Sequence, residues 1–342
     1  MDFAFPVYTF LMMEQRMIGM KCKIGKIGAL ALALLLGACS GEVSYDWPEG
    51  ENQLFVSHIK EPVLTVISDG QVQKELELPF IASDMVKVDG KLVLASKEED
   101  ELYVLDLDTQ KLESIGETGD GITKLVYGGG KLYAAYADSD KIAQIALEPF
   151  AIENIAQTSE HPHSMAVDGT KLYVTSVYGH TVQAIDTATM NIEESFDIVG
   201  RPNGVALAEG GLFVGGHGPY GNLNDSVYRY SFDEEKTIQK VKTGLMPIEI
   251  IRDGSSLFVL NHGSHDVVKL DAATLEQQGK VAVGDNPYYG VASGGNLYVS
   301  SMDADVISEI DIESFTVTKE IPTAAGPHAM VLEGGNDENP SH

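Results

Sequence analysis

Apolar and polar positions along this chain fall in short bursts, and the bursts return at a fixed interval. Seven leucine-led triplets stand between polar turns: Leu54-Phe55-Val56, Leu92-Val93-Leu94, Leu132-Tyr133-Ala134, Leu172-Tyr173-Val174, Leu212-Phe213-Val214, Leu257-Phe258-Val259 and Leu297-Tyr298-Val299. Successive leading leucines are 38, 40, 40, 40, 45 and 40 residues apart. A period of this size marks a repeat architecture, in which no unit can bury its apolar face alone. The fourth unit shows the content of one repeat. Ser164–Val167 reads as a strand, and Asp168-Gly169 as a hairpin turn whose residues tolerate positive φ. Lys171–Thr175 and Thr181–Ile185 read as two further strands, separated by the polar loop Ser176–His180. Asp186-Thr187-Ala188-Thr189 is a turn with a self-capping carboxylate, and Asn191–Val199 a fourth strand with an exposed acidic face.

Four antiparallel strands, A to D, per repeat of about 40 residues predict an all-β, seven-bladed β-propeller. The register supports it. Pro162, Pro202, Pro247 and Pro287 each precede the strand B leucine by ten residues, and Asp106, Asp186, Asp271 and Asp311 all end strand C. The first repeat lacks a strand A, and the chain ends in an orphan one, Gly326–Leu332. Pairing the two closes the ring with a blade of one C-terminal and three N-terminal strands, which leaves no open edge to the array. The propeller is expected over 53–335, with a disordered tail at 336–342.

Residues 1–38 carry an address rather than fold. Lys21, Lys23 and Lys26 precede the apolar run Ile27–Leu36, which ends in Leu36-Gly37-Ala38-Cys39. A basic flank, a short apolar core and small residues before the cut make a secretory signal. The start before Met20 looks overcalled, since Met17 or Met20 would open a normal signal. The Leu-Gly-Ala-Cys string resembles the lipobox of bacterial lipoproteins. That resemblance implies cleavage before Cys39, its acylation, and an extracytoplasmic protein held in the cell envelope by a lipid anchor. Residues 39–52 then read as acylated Cys39 and a flexible tether. Without residues 1–38 the chain keeps 19 basic and 49 acidic residues, net −30. Such a charge disfavours nucleic acid as a partner.

Candidate chemistry gathers on one side. D-to-A and B-to-C loops open on one face of a propeller, and A-to-B and C-to-D turns on the other. Eight histidines (His58, His161, His163, His180, His217, His262, His265 and His328) all fall in the first set of loops. Three explanations stay open: hydrogen bonding to loop backbone, a ligand or partner surface, and a metal site. Converging imidazoles without thiolate would suit zinc or copper, with His163, His328 and His58 as the candidates. Their positions predict separate groups around the rim. Ser83, Thr123, His163, Asn203, Ile248, Tyr288 and His328 should ring the channel mouth, with Asp84, Lys124, Ser164, Gly204, Glu249, Tyr289 and Ala329 as the next ring. A concave mouth with convergent polar groups is the expected binding site for a small molecule or a peptide segment, with Glu249, His58, His217 and His262 as further lining residues. The longer B-to-C loop of the fifth blade, Gly216–Asp225, offers Tyr220 and Leu223 as exposed anchors. Asp138/Asp140 and Asp303/Asp305 suit turn capping better than calcium.

The phrases Leu172-Tyr173-Val174-Thr175-Ser176, Ile185-Asp186-Thr187-Ala188-Thr189 and Gly200-Arg201-Pro202-Asn203-Gly204-Val205 resemble the YVTN repeats of YncE-like propellers. The resemblance spans about residues 52–335. It departs from the motif at Ala135 and Gly215, which stand where a threonine usually follows strand B. It implies a seven-bladed, secreted or surface-attached propeller, usually without assigned catalysis. Binding or scaffolding on the loop face is therefore the expected function. The alternatives are a metal-assisted, lactonase-like hydrolase or lyase and a copper-linked redox protein.

Overall fold

The structure is a computed structural model, and it describes residues 42–50 and 52–334. The proposed signal, Cys39 and the tail lie outside the described residues. Seven four-stranded antiparallel sheets form the blades, each running A to D in chain order except the first. Blade one joins the C-terminal strand Pro327–Leu332 to Leu54–His58, Val63–Ser68 and Gln71–Glu77. Its register sets Leu54 opposite Leu332, Phe55 opposite Val331 and His58 opposite Pro327. The two ends of the chain therefore knit into one sheet, as the repeat phase predicts.

The leucine triplets are apolar at every position because strand B is covered on both faces by neighbouring blades. Leu172, Tyr173 and Val174 are all buried, whereas Ile192–Phe196, the strand D of the same blade, is exposed over its first four residues. The core is accordingly a ring of layers rather than one mass. Phe213 of blade five packs with Ile250 and Val259 of blade six, and Phe258 of blade six with Val299 of blade seven. In blade four the hairpin turn falls one residue later than expected: Asp168 still pairs with Lys171, and Gly169 takes the left-handed conformation.

The capping aspartates behave as the sequence implies. Asp106, Asp186 and Asp271 each accept the backbone N–H and hydroxyl of a threonine three residues on, and Asp311 does so from Ser314. The strand B threonine explains its own motif. Thr175 Oγ1 accepts Ser164 N–H at 2.9 Å and donates to Asn203 O of the next blade at 3.0 Å. Ser300 repeats this toward His328 O at 2.9 Å. At Gly215 a β-carbon would lie 2.1 Å from Pro247 O, so blade six packs where a threonine would stand.

The expected free tether is in part a strap. Val43–Ser44 adds a fifth strand to blade two, pairing Val43 with Leu112 and Ser44 with Lys111. Trp47 is 4% exposed and meets Phe55 of blade one edge-on at 5.8 Å. The Gln110 side chain grips the Trp47 backbone twice, at 3.1 and 3.0 Å, and Tyr45 Oη donates to Glu77 O at 2.9 Å. The strap thus crosses from blade two to the closing blade and covers one outer edge. No helix among the described residues is long and apolar enough to cross a membrane.

Candidate functional site

All seven residues of the first ring line one cavity of about 440 Å³ at the loop-face mouth of the channel: Ser83, Thr123, His163, Asn203, Ile248, Tyr288 and His328. From the second ring, Lys124 and Glu249 reach it too. In five of the seven blades a left-handed residue leads the D-to-A loop into strand A. His161, Arg201, Met246, Asn286 and Gly326 all have positive φ, and each stands directly before a proline.

Four of these loops are fastened by one device. A left-handed residue before strand C accepts a backbone N–H from 21 residues further on: Asp140 from His161 at 2.8 Å, His180 from Arg201 at 3.0 Å, His265 from Asn286 at 3.0 Å and Asp305 from Gly326 at 2.8 Å. His180 and His265 therefore do the work of a capping aspartate and hold loop backbone. Of the paired carboxylates, Asp140 and Asp305 cap backbone as expected, whereas Asp138 and Asp303 instead pair with Lys97 at 2.8 Å and Lys60 at 3.0 Å.

Three of the remaining six histidines, His163, His262 and His328, do not stay in separate groups. Tyr288 joins these three across the mouth. His163 Nε2 lies 3.2 Å from Tyr288 Oη, although the two come from blades four and seven. The His328 ring lies 4.7 Å from the Tyr288 ring, tilted by 33°, and His262 meets it edge-on at 6.1 Å. Two expectations need correction. His58 is fully buried, with Nε2 2.8 Å from Thr65 Oγ1, so it serves blade one rather than the cavity. His217 and His262 stand outside the lining, though His262 buttresses Tyr288. Among the described residues no three His, Cys, Asp or Glu side chains gather as a metal set. With His58 committed to Thr65, the zinc or copper expectation finds no fitting donor set at His163 and His328.

Electrostatics give the floor its character. Lys124 Nζ lies 3.7 Å from Asp84 Oδ2 and 4.3 Å above the Tyr289 ring. Asp84 is fully buried; its Oδ2 accepts Leu125 N–H at 2.7 Å, while Oδ1 has no hydrogen-bond partner. Burial pushes the Asp84 carboxyl up, against the pull of Lys124. Burial also lifts Glu249 to about 7, with Lys124 opposing and Asp84 adding. His163 and His328 are driven down to about 3, by burial first and by Lys124 second. Burial raises the Tyr288 phenol to about 12, helped by the charges of Glu249 and Asp84. At neutral pH the cavity floor therefore presents neutral rings beside Lys124 and a carboxyl in mid-titration, with Lys97 and Glu98 at the rim.

Close packing fixes this floor. A β-carbon on Gly204 would stand 2.7 Å from Ile248 O and 3.1 Å from Glu249 Cα, so only glycine lets blade five approach here. In the long loop of blade five, Asn224 pins the base by donating to Gly216 O at 3.1 Å and Ser226 O at 2.7 Å. Tyr220 at its tip is 99% exposed and Leu223 is 51% exposed.

No protein-family model matches the chain, and no curated protein does. Solved structures share its fold. A functionally unknown protein from Desulfotomaculum acetoxidans is 12% identical, with TM-score 0.70 over 82% of this chain and 99% of its own. A proposed 6-phosphogluconolactonase from Bacteroides uniformis is 14% identical, with TM-score 0.67 over 83% and 100%. AztD from Citrobacter koseri is 13% identical, with TM-score 0.57 over 83% and 99%. At these identities the likeness is one of fold, and the propeller supports many unrelated functions.

Proposed function

We propose that this chain is a lipid-anchored, extracytoplasmic propeller of the YVTN or YncE-like kind that binds a small organic molecule in its loop-face cavity. The cavity carries the reading. One residue from the strand A start of each of seven blades converges on a single concavity that has apolar walls and a few fixed polar groups. The anchor rests on the basic flank, apolar core and Leu36-Gly37-Ala38-Cys39 string. A bacterial envelope location, at a membrane surface, follows from the anchor.

Two experiments test it. Cys39→Ser should move the protein from the membrane pellet to the soluble fraction; unchanged sedimentation overturns the anchor. Untagged protein purified from its own membranes should release a bound small molecule on organic extraction, seen by mass spectrometry. Asn203→Ala and His163→Ala should lose that molecule while keeping a cooperative melt. Retention by both variants overturns the cavity.

A second reading, a hydrolase or lyase working by acid–base chemistry, is favoured by one observation. Glu249, held near 7, shares the cavity with the His163–Tyr288 pair. A carboxyl with that affinity for protons exchanges one efficiently at neutral pH. Turnover of the extracted molecule, lost in Glu249→Gln, would establish it. Absence of turnover leaves the binding protein.

A further inference from the structure

We propose that the loop face carries a second site, outside the cavity, which holds an oxyanion (a carboxylate or phosphate group) between Arg201 and His217. The site goes beyond the binding reading above and does not depend on it.

Arg201 is a cation without an acceptor. Of the other arginines among the described residues, Arg229 donates to Ala273 O at 3.0 Å and Arg252 to Leu207 O at 3.1 Å. Arg201 Nε is buried and has no hydrogen-bond partner. Among the described residues no carboxylate bridges its guanidinium, although the chain has 51 acidic residues to 23 basic ones. Lysines near the same face are neutralised: Lys60 by Asp303, Lys97 by Asp138 and Lys242 by Asp225. What Arg201 has instead is an aromatic face, with its Cζ 5.5 Å from the centre of the Tyr178 ring. Stacking of this kind occupies the flat side of a guanidinium and leaves its N–H edge open to the paired oxygens of a carboxylate or phosphate.

His217 adds a second open nitrogen. Pro202 pairs with Gly216 across strands A and B of blade five, which sets Arg201 opposite His217 at the end of the ladder. His217 N–H donates to Arg201 O at 3.1 Å, and its ring Nδ1 is buried without a partner. Burial first and the Arg201 charge second hold this imidazole down to about 4. It is therefore neutral at neutral pH, and the tautomer protonated at Nδ1 offers an N–H beside the guanidinium. Two buried nitrogens without partners on facing residues call for an acceptor. An oxyanion accepts from both and neutralises the charge, whereas an amine would be repelled. The backbone is already set for it. Arg201 is held in the left-handed conformation (φ 52°) by His180 Nδ1, which accepts its N–H at 3.0 Å. The long loop of blade five closes over the preceding residue, since a β-carbon on Gly200 would stand 3.1 Å from Pro219 Cδ. The net charge of −28 does not oppose a local anion, because exposed charges beyond about 10 Å are largely screened at 0.1 M salt.

Histidine-selective NMR of the full-length protein in detergent tests this, with benzoate and inorganic phosphate titrated separately against chloride at constant ionic strength. At least one of the two oxyanions should bind with a millimolar Kd or tighter and move the His217 ring resonances, and chloride should not. The probe that responds tells a carboxylate site from a phosphate site. Its binding should also raise the His217 pKa, because a bound anion offsets the Arg201 charge. Arg201→Gln should weaken binding by about tenfold or more, as loss of a charge-assisted pair implies. Arg201→Lys, which keeps the charge without the fork, should fall between the two. The unaltered protein decides the matter even if these variants do not fold. No response of His217 to either oxyanion at millimolar concentration overturns the site, as does unchanged affinity in Arg201→Gln. Shifts confined to His163 and His328 would move the anion into the cavity and equally overturn it. Each of these failures leaves the cavity reading standing.

Discussion

At the scale of single residues, the decisive feature is burial of groups that ordinarily ionise. His163 and His328 are held at about 3, and His58 and His217 at about 4, in each case mainly by burial. A depressed imidazole in the folded state means that the unfolded chain, near 6.5, binds more protons in the window between. The stability these four contribute is complete above about pH 6.5 and is lost as pH falls toward 4. Glu249 acts in the opposite sense: its folded value is raised to about 7, so its contribution is lost as pH rises from about 4.5 to 7. These four imidazoles outnumber the two raised carboxyls of the floor, Glu249 and Asp84. The melting temperature should fall steeply from pH 6.5 to pH 4, and His163→Asn should flatten that slope. A melting temperature flat across this window would contradict the burial. Thr175 gives a second test. Thr175→Val strands the Ser164 N–H and Asn203 O it now joins, and should cost about 1–3 kcal/mol in urea unfolding. Thr175→Ser should restore most of it. A loss equal in both variants would assign the effect to packing instead.

At the scale of elements, the repeats were readable because strand B is buried on both faces while strand D is largely exposed. Leu172-Tyr173-Val174 and its six counterparts are the visible trace of that burial. Loop prolines carried the same phase into the channel in five blades, and Ser83 and Thr123 keep the same distance from their strand B leucines, so the first ring falls on the cavity. Tyr288 as a hub was not readable. Its hydrogen bond to His163 spans 125 residues and crosses the channel, and a repeat gives a residue's angle around the axis but not how far its side chain reaches over it. The roles of His180 and His265 were hidden for a different reason. Only their equivalence to Asp140 and Asp305, at a constant 21-residue offset, reveals them as caps. The strap has no repeat phase, yet it left one signal: the chain's single tryptophan, Trp47, stands in an otherwise polar stretch. Trp47→Ala should destabilise the protein by about 3 kcal/mol, the range for losing a buried large aromatic. An unchanged urea midpoint would mean that the strap decorates the closing blade without securing it.

At the scale of the whole molecule, ring closure and site are one arrangement. His328 reaches the cavity only because the C-terminal strand Pro327–Leu332 enters blade one, and Tyr288 meets it from the neighbouring blade seven. Glu249 and Lys124 come from blades six and three, so no single repeat contains the site. A rigid ring therefore assembles what the sequence distributes over more than two hundred residues. The proposed binding place is this assembled mouth. A crystal structure of the protein grown with the small molecule that it releases on extraction measures this most directly. That molecule is expected inside the mouth, against Tyr288 and His328. A cavity filled by water alone, with the molecule seated elsewhere on the propeller, would contradict it.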